Sequence, residues 1–494
     1  MKNIYKILTL GVIFIALSAC GNNWLDLDPA TAKPSDKAIT DYKSAEEALT
    51  GIYSRIQGNS GSVSYYGANL WVYGDVRGED MQSTNLSSRG ATFYAMKYLE
   101  NNAPAIWGTP YTIIRNTNNL LEALESGKVA DATDTQINEL KSEALAIRAL
   151  VHFDLCRIYG MPYTANNGTS LGVPIVLTSL PVEALETRNT VAEVYTQVLL
   201  DLGASINTGG LSKEKTYGYI NYWFVKGLLS KVNLYKGDNE AAFKHAEDII
   251  KDSPYGLWTN EEYVEGWKTT SSGRKEMLFE IVNYSRDNWT DREGIANLMN
   301  PKGYGDVIAT KSFIDMLATT PDDVRHGLFL EKEEDNPNVI LENYKVFVNK
   351  YPVNEAGEWR LNSLPVMRLS EIYLFAAEAA AKLKDSSNAA KYLNVIHKRA
   401  NPNAADISET DATLERIILE RRKELIGEGS RFFDAMRNNE TITRYTSEED
   451  RGFHPSLDAD SRTFNRDYFR AILPIPISEI NANAPIREQQ NPGY

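Results

Sequence analysis

Apolar residues recur at intervals of three and four along several stretches of the chain, a spacing that places them on one face of a helix. The longest such stripe consists of Ile137, Leu140, Ala144, Ile147, Val151 and Leu155. This pattern predicts a long helix that ends near Gly160. Thr190 followed by Glu193 forms a capping box and predicts the start of another helix. We expect this second helix to run through Leu202 and to stop at Gly203.

Two pairs of helical segments have the pattern of helix hairpins. In the first, the apolar stripes are Phe224, Leu228 and Val232, then Ala242, Ala246 and Ile249, with Gly237 as the stop between them. In the second, the stripes are Leu369, Ile372, Ala376, Ala379 and Leu383, then Ala389, Leu393, Ile396 and Ala400, across a turn near Ser386. Small residues where helices cross are typical of tetratricopeptide-like repeats. The pattern predicts a short solenoid inside a larger, mainly α fold.

Residues 253–365, between the two hairpins, follow a different pattern. Met277–Val282 and Tyr344–Val348 are short apolar runs of the kind that form strands, and prolines and glycines surround them. We therefore expect a loop-rich, partly β insertion. A further helix is predicted near Leu414–Leu425, and Arg421 falls on its apolar side, where it needs a buried carboxylate partner.

The first residues have the pattern of a bacterial export signal. Lys2 and Lys6 precede an apolar run, Ile7–Ala19, that is too short to span a bilayer. Small residues lead directly into Cys20, which indicates a lipidated cysteine; the alternative is an ordinary cleaved signal with an incidental cysteine. A polar tether up to Lys43 follows, and a capping box of Ser44 and Glu47 predicts the first helix of the body.

The charge balance and the rare residue types exclude several function classes. The formal net charge of −14 argues against binding nucleic acid or anionic lipid through the overall field. With Cys20 lipidated, only Cys156 remains, so no intrachain disulfide can form. No His-x-x-x-His pair occurs among the five histidines, and we expect neither a metal nor another cofactor.

Segments at both ends of the chain carry a resemblance to a known family. They are Trp24–Pro29, Glu143–Arg148, His152–Leu155, Pro365–Tyr373, Glu420–Leu425, Gly429–Asp434, Ile472–Pro476 and Gln490–Tyr494. With these segments in this order, the chain resembles the SusD/RagB family of outer-membrane nutrient-binding lipoproteins. We interpret their charged residues as fold signatures, since buried pairing and helix capping explain them without a ligand.

The resemblance implies a SusD-like α-helical fold and a division of the chain into four parts. These are a lipoprotein signal peptide at 1–19, a lipidated tether at 20–43, an N-terminal helical region at 44–252, and a C-terminal region at 253–494 that includes the insertion. It also implies an anchor in the outer membrane facing the cell exterior, and a SusC/RagA-type TonB-dependent transporter as partner. The implied ligand is an oligosaccharide or polysaccharide, or in some members a peptide.

A glycan site needs aromatic rings for the apolar faces of sugars and planar polar side chains for their hydroxyls. The resemblance implies that two parts of the chain supply them. The first set of candidates is Tyr65, Tyr66, Asn69, Trp71, Tyr73, Asp75 and Arg77, in a loop-like stretch. The second set, in the insertion, is Trp267, Tyr284, Trp289 and Tyr304. Alternatively, Trp71 and Tyr73 pack inward and Asp80 caps a helix. Trp107 fits a core anchor better than a ligand contact.

Two other functions stay open at this point. A surface glycosidase would use paired carboxylates, for which Asp322 and Asp323 are one candidate, although they fit a solvated turn better. No Gly-x-Ser-x-Gly, His-Glu-x-x-His or phosphate-loop motif is present, and Cys156 has no specified activator beyond Arg157. A scaffold that binds peptide is the second alternative. We expect a binding protein and not an enzyme.

Overall fold

The computed structural model describes residues 38–58, 65–84, 89–102, 106–269, 273–284, 294–331, 346–352, 362–444 and 457–494. Its first eleven α-helices are α1 Tyr42–Gln57, α2 Asn69–Asp75, α3 Ala91–Ala95, α4 Gly108–Glu125, α5 Asp134–Tyr159, α6 Tyr163–Asn166, α7 Val191–Asn207, α8 Tyr222–Lys236, α9 Asn239–Asp252, α10 Tyr263–Gly266 and α11 Ile295–Met299. The others are α12 Lys311–Ala318, α13 Leu369–Lys382, α14 Ser386–Ala400, α15 Leu414–Leu425, α16 Arg431–Arg437, α17 Ala459–Arg462, α18 Ile477–Ala482 and α19 Ala484–Arg487.

The strands are short and pair in twos. They are β1 Met81–Ser83, β2 Met277–Ile281, β3 Val307–Ala309, β4 Phe329–Glu331, β5 Val346–Val348, β6 Leu364–Arg368, β7 Ile442–Thr443 and β8 Thr463–Phe464. The antiparallel pairs are β1 with β3, β2 with β6, β4 with β5, and β7 with β8. Short 3₁₀ helices occur at Val324–Leu328 and Phe469–Ala471.

A row of long helices forms the frame of the molecule. The helices α1, α4, α5, α7, α8, α9, α13 and α14 each pack on the next, and α15 packs on α13 and α14. The predicted hairpins are the pairs α8–α9 and α13–α14, and the predicted small residues at their crossings, such as Ala246 and Ala379, are fully buried. The mainly α fold with tetratricopeptide-like pairs is therefore confirmed.

Two predicted helix ends are wrong. The first helix begins at Tyr42, within the predicted tether, and its capping box pairs Asp41 with Ser44 instead of Ser44 with Glu47. The helix that Thr190 caps does not stop at Gly203 but continues to Asn207. A glycine inside a helix costs only about 1 kcal/mol, and the turn beyond it buries Ser205, whose hydroxyl donates to the Ser142 carbonyl at 2.7 Å.

The insertion leaves the frame after α9 and returns at α13, and these two helices pack on each other. The β2–β6 pair closes it, with Met277 opposite Arg368 and Ile281 opposite Leu364. The predicted strand at Met277–Val282 is confirmed. The one predicted at Tyr344–Val348 is seen at Val346–Val348, and its first two residues lie outside the described part of the chain. The insertion has a small core of its own around Trp258 and Trp267.

A buried cluster of charges joins the insertion to the frame; we call Glu276, Arg325, Arg368, Arg399 and Glu424 the Glu424 cluster. Arg368 and Arg399 each contact Glu424 Oε1 at 2.6 Å, and Arg325 contacts its Oε2 at 3.4 Å. Arg368 and Arg399 also pair with Glu276, at 3.2 and 3.1 Å. Burial by itself raises the pKa of Glu424, but the arginines outweigh it and hold this pKa well below its usual range. Glu424 is therefore a buried anion that several cations share.

The predicted partner of Arg421 is present as well. Its guanidinium contacts Asp434 of α16 at 2.8 Å, and both side chains are buried. Asp434 also pairs with Arg437 at 2.8 Å. The interpretation of these segments as fold signatures is confirmed for the residues in these pairs.

Replacing the shared anion tests how much the Glu424 cluster stabilises the fold. Glu424→Gln keeps the size of the side chain but leaves Arg368 and Arg399 buried without their common counter-charge. We expect the free energy of unfolding to fall by about 3–5 kcal/mol, measured by urea denaturation at pH 7. The Glu409→Gln variant, at an exposed position, is the matched control. It should change the free energy of unfolding by less than about 0.5 kcal/mol. A similarly small change in Glu424→Gln would contradict a stabilising role for the cluster.

Candidate ligand-binding site

The first predicted set of ligand residues lies inside the protein. Tyr65, Tyr66, Trp71 and Tyr73 are each less than 5% exposed, and the stretch after Ala68 is helix α2, not the predicted loop. The Tyr65 and Tyr66 hydroxyls donate to the buried Asp154 carboxylate at 2.6 and 2.9 Å. The exposed arrangement that the sequence suggested for these four rings is wrong, because all four pack in the interior of the protein.

Asp75 and Arg77 are also used internally. The backbone amide of Gly429 donates to Asp75 at 2.9 Å, and burial raises the pKa of this carboxyl well above its usual range. The Arg77 guanidinium lies between the rings of Tyr73 and Phe432, 4.1 and 3.9 Å from their centroids, and donates to a backbone carbonyl. The predicted fork of these two side chains onto sugar hydroxyls is therefore not formed. The alternative, inward packing of Trp71 and Tyr73, is what the structure has.

The buried stretch is held to the frame by a second set of ion pairs. Glu79 contacts Arg431 at 2.6 Å, and Asp80 contacts Arg422 at 2.5 Å. Asp80 therefore pairs with an arginine of α15 and does not cap a helix. Burial by itself raises the pKa of Glu79, but Arg431 and Arg422 outweigh it and lower this pKa to about 2.

In the second predicted set, Trp267 is fully buried. Its ring packs 5.5 Å from that of Trp258, and the Lys350 ammonium lies 5.1 Å from its centroid. Its predicted exposure is wrong because it fills the core of the insertion, beside the Glu424 cluster. Trp289 lies outside the described residues, and its role stays a prediction. Trp107 is buried, as expected of a core anchor.

The two predicted parts of the chain nevertheless meet. Strand β1 pairs with β3, with Met81 opposite Ala309, and the Ile295 amide donates to the Gly67 carbonyl at 3.2 Å. Asn69 is half-buried close to this junction in sequence. Segments that lie more than 200 residues apart in sequence thus form one surface.

Tyr304 lies at this junction and stays half-buried. The Arg89 guanidinium covers one side of its ring, 3.3 Å from the centroid, and pairs with Asp306 at 3.0 Å. We call these three residues the Tyr304 cluster. It combines an aromatic ring with planar donors and acceptors, which are the groups that bind a sugar. Sequence reasoning missed Arg89 and Asp306, because only the β1–β3 pairing brings them to Tyr304.

A small cleft lies beside α2. Its walls include Tyr66, Trp71, Arg157, Lys231, Glu371 and Glu428. Lys231 pairs with Glu371 at 3.2 Å, so part of its charge is already neutralised. The cleft brings two predicted residues together, Tyr66 and Trp71.

Cys156 and Asp323, the catalytic candidates from the sequence, are both buried. Burial raises the pKa of Cys156 to about 12, so its thiol stays protonated and is a poor nucleophile. Asp323, from the candidate carboxylate pair, is buried against Arg325 at 2.6 Å. Within the described ranges no group of three His, Cys, Asp or Glu side chains could hold a metal ion.

Known proteins are similar to this chain along most of its length. A family model described as SusD family matches residues 324–494, and another described as starch-binding associating with outer membrane matches residues 23–234. A SusD superfamily protein from Bacteroides thetaiotaomicron is 36% identical, with a TM-score of 0.85 over 92% of this chain and 100% of its own. A second SusD superfamily structure, from Bacteroides vulgatus, is 34% identical, with a TM-score of 0.83 over 92% of this chain and 100% of its own.

A sequence relative extends the same similarity. A SusD-like protein of Bacteroides ovatus is 23% identical over 473 residues, which cover 87% of this chain and 81% of that protein.

Among the helices that the structure describes, none has the length and hydropathy to cross a bilayer.

The ion pairs of Glu79 predict how stability depends on pH. The pKa of Glu79 is about 2 in the folded chain, against about 4.3 for an unfolded glutamate, so its contribution is present above about pH 4.3. This stabilising contribution of Glu79 is lost as the pH falls from about 4.3 through 2. We expect Glu79→Gln to lower the free energy of unfolding by up to about 3 kcal/mol at pH 7, and by much less at pH 2.5.

Urea denaturation at a series of pH values checks this expectation. Glu488→Gln, at an exposed position, is the control and should follow the wild type at every pH. A Glu79→Gln variant whose deficit is the same at pH 7 and pH 2.5 would show that the ionised carboxylate is not the stabilising group.

Proposed function

The chain belongs to the SusD family of carbohydrate-binding proteins, and from this premise we propose that it captures a glycan outside the cell and delivers it to a transporter. In this proposal Cys20 carries the lipid, the body faces outward from the outer membrane, and the receiving partner is a SusC/RagA-type TonB-dependent channel. The description of the family model that matches residues 23–234, starch-binding associating with outer membrane, supports both the ligand class and the location.

The observation that carries the proposal is the Tyr304 cluster. Sugars have flat apolar faces ringed by hydroxyls, so they stack on an aromatic ring while adjacent planar groups bind the hydroxyls. Tyr304 supplies the ring, and Arg89 and Asp306 are already oriented by their mutual contact at 3.0 Å. Asn69 and Tyr284, which are accessible members of the predicted set, remain candidate contacts in this proposal.

We propose binding without turnover. A glycosidase needs two carboxylates flanking one open site, one of them free to act as an acid. Asp306 forms an ion pair with Arg89, and Asp323 forms a buried ion pair with Arg325. An exposed tyrosine surface also accepts peptides, so a peptide ligand is the second candidate, favoured by the exposed ring of Tyr284.

Titration of the purified chain with soluble starch, xylan, pectin and a mixed peptide digest tests the proposal. We expect one polysaccharide to bind and to be recovered intact by chromatography. Tyr304→Ala should weaken its affinity about 10-fold, whereas Tyr304→Phe, which keeps the ring, should stay within about 3-fold of the wild type. Release of shorter sugars would identify an enzyme, and binding of the digest alone would identify a peptide carrier.

The anchor is tested separately in cells. Cys20→Ala removes the sulfur that would carry the lipid, and a chain without acyl groups has no stable hold on a bilayer. We expect the wild type to sediment with outer membranes and to co-purify with a transporter after detergent extraction. The variant should be found in the soluble fraction. A wild type that is itself soluble would contradict the anchor.

A further inference from the structure

Three tyrosines stand out on the surface. Tyr217, Tyr219 and Tyr284 are 40%, 51% and 43% exposed, and in the part of the chain that the structure describes they are the only aromatic residues with large exposed fractions. Tyr217 and Tyr219 are absent from both predicted site sets. Exposed apolar side chains that lie together in one patch are typical of interaction or ligand-binding surfaces.

Tyr217 and Tyr219 flank a tight turn with a fixed shape. The Thr216 hydroxyl donates to the Tyr219 carbonyl at 2.7 Å. Gly218 between them has a φ of +79°, and a Cβ at this position would lie 2.9 Å from a Val282 methyl group. Glycine is therefore required both for the backbone conformation and for the close approach to Val282.

The turn is also attached to its neighbours. The Ile220 amide donates to the Tyr53 hydroxyl at 2.9 Å, and the Tyr53 and Tyr219 rings meet edge to face at 5.3 Å. The Asn221 side chain donates to the Leu278 carbonyl of β2 at 2.8 Å. A turn held in place this way loses little conformational freedom when a ligand stacks on it, which favours binding.

Tyr284 lies close in sequence to a residue that contacts this turn. It follows Val282, the residue in contact with Gly218, by two positions. The Gln57 amide donates to the Val282 carbonyl at 3.1 Å and to the Asn283 side chain at 2.9 Å, and both amide side chains are half-buried. We call Tyr217, Tyr219 and Tyr284 the tyrosine platform, since each lies within two positions of the contact between Gly218 and Val282.

We propose that the tyrosine platform is an additional carbohydrate-binding surface, in which Tyr217 and Tyr219 join Tyr284, already a candidate contact. The platform shares no residue with the Tyr304 cluster. Rings separated by amides match the alternating apolar faces and hydroxyls of a sugar chain. The adjacent residues Lys213, Glu214 and Lys215 carry charges of both signs. This mixed charge does not favour a strongly charged ligand over a neutral one. This inference rests on the proposed function and specifies where a long glycan continues over the protein.

Two stacking sites on one body bind a polymer more tightly than a short oligosaccharide, because the second contact is made at a high effective concentration. The Tyr217→Ala/Tyr219→Ala double variant should therefore lose affinity for the polymer about 10-fold or more. Its affinity for a tetrasaccharide of the same sugar, which fits one site, should change less than about 2-fold. The experiment is affinity electrophoresis of the full chain in gels containing soluble starch, xylan or pectin, with the tetrasaccharide measured by calorimetry.

Matched variants separate stacking from folding. Tyr217→Phe/Tyr219→Phe keeps both rings and should bind the polymer like the wild type. Gly218→Ala keeps the rings but disturbs their turn, and should lose affinity as the double alanine variant does. Leu200→Ala removes an exposed apolar side chain elsewhere and is the control for general surface changes.

Chemical protection gives a readout that needs no variant. Tetranitromethane nitrates accessible tyrosines, and bound polysaccharide should protect Tyr217, Tyr219 and Tyr284, as seen by peptide mass spectrometry. If the polymer binds but the double alanine variant equals the wild type and the three tyrosines stay reactive, the inference is overturned while the proposed function stands. If none of the three polysaccharides binds the wild type, both are overturned.

Discussion

The arrangement of this protein depends on one buried carboxylate. Glu424 of α15 receives Arg399 from the helical frame, Arg368 from the strand that closes the insertion, and Arg325 from within the insertion. The insertion is rich in loops and has only a small core of its own, so its position is set largely by what it contacts on the frame. Removing a single partner from such a cluster leaves a buried charge uncompensated, which favours one arrangement of the insertion over its alternatives.

That arrangement determines where the rings lie. The insertion supplies β3 and Tyr304, which meet the early segment through β1, and it supplies β2, whose end holds the turn of the tyrosine platform. Charged side chains of the family-like segments, such as Arg421 and Asp434, thus build the frame, while in the proposed function the accessible aromatic rings hold the ligand. This division suits a protein that holds a polymer without cutting it.

The sequence predicts the frame well and the site poorly, for a physical reason. Helix periodicity is local, so the hairpins and the long helix α5 follow from the spacing of their apolar residues. The pairing of Arg421 follows too, because a charge on an apolar face needs a partner. Ring exposure is not local. Gly74 of α2 approaches Gly429 so closely that a Cβ would lie 1.9 Å from its carbonyl oxygen, and no feature near Trp71 reveals this contact. Tyr217 and Tyr219 lie before α8, outside the helical spacing of apolar residues that indicates which side chains face the core.

The central proposal is that accessible rings on the helical frame, and not the cleft beside Trp71, hold the glycan. A crystal structure of the chain with a bound oligosaccharide tests it most directly. The account predicts sugar rings stacked at the Tyr304 cluster or the tyrosine platform, with the helices unmoved. A sugar seated in the cleft between Trp71 and Lys231, with α2 displaced to admit it, would contradict it.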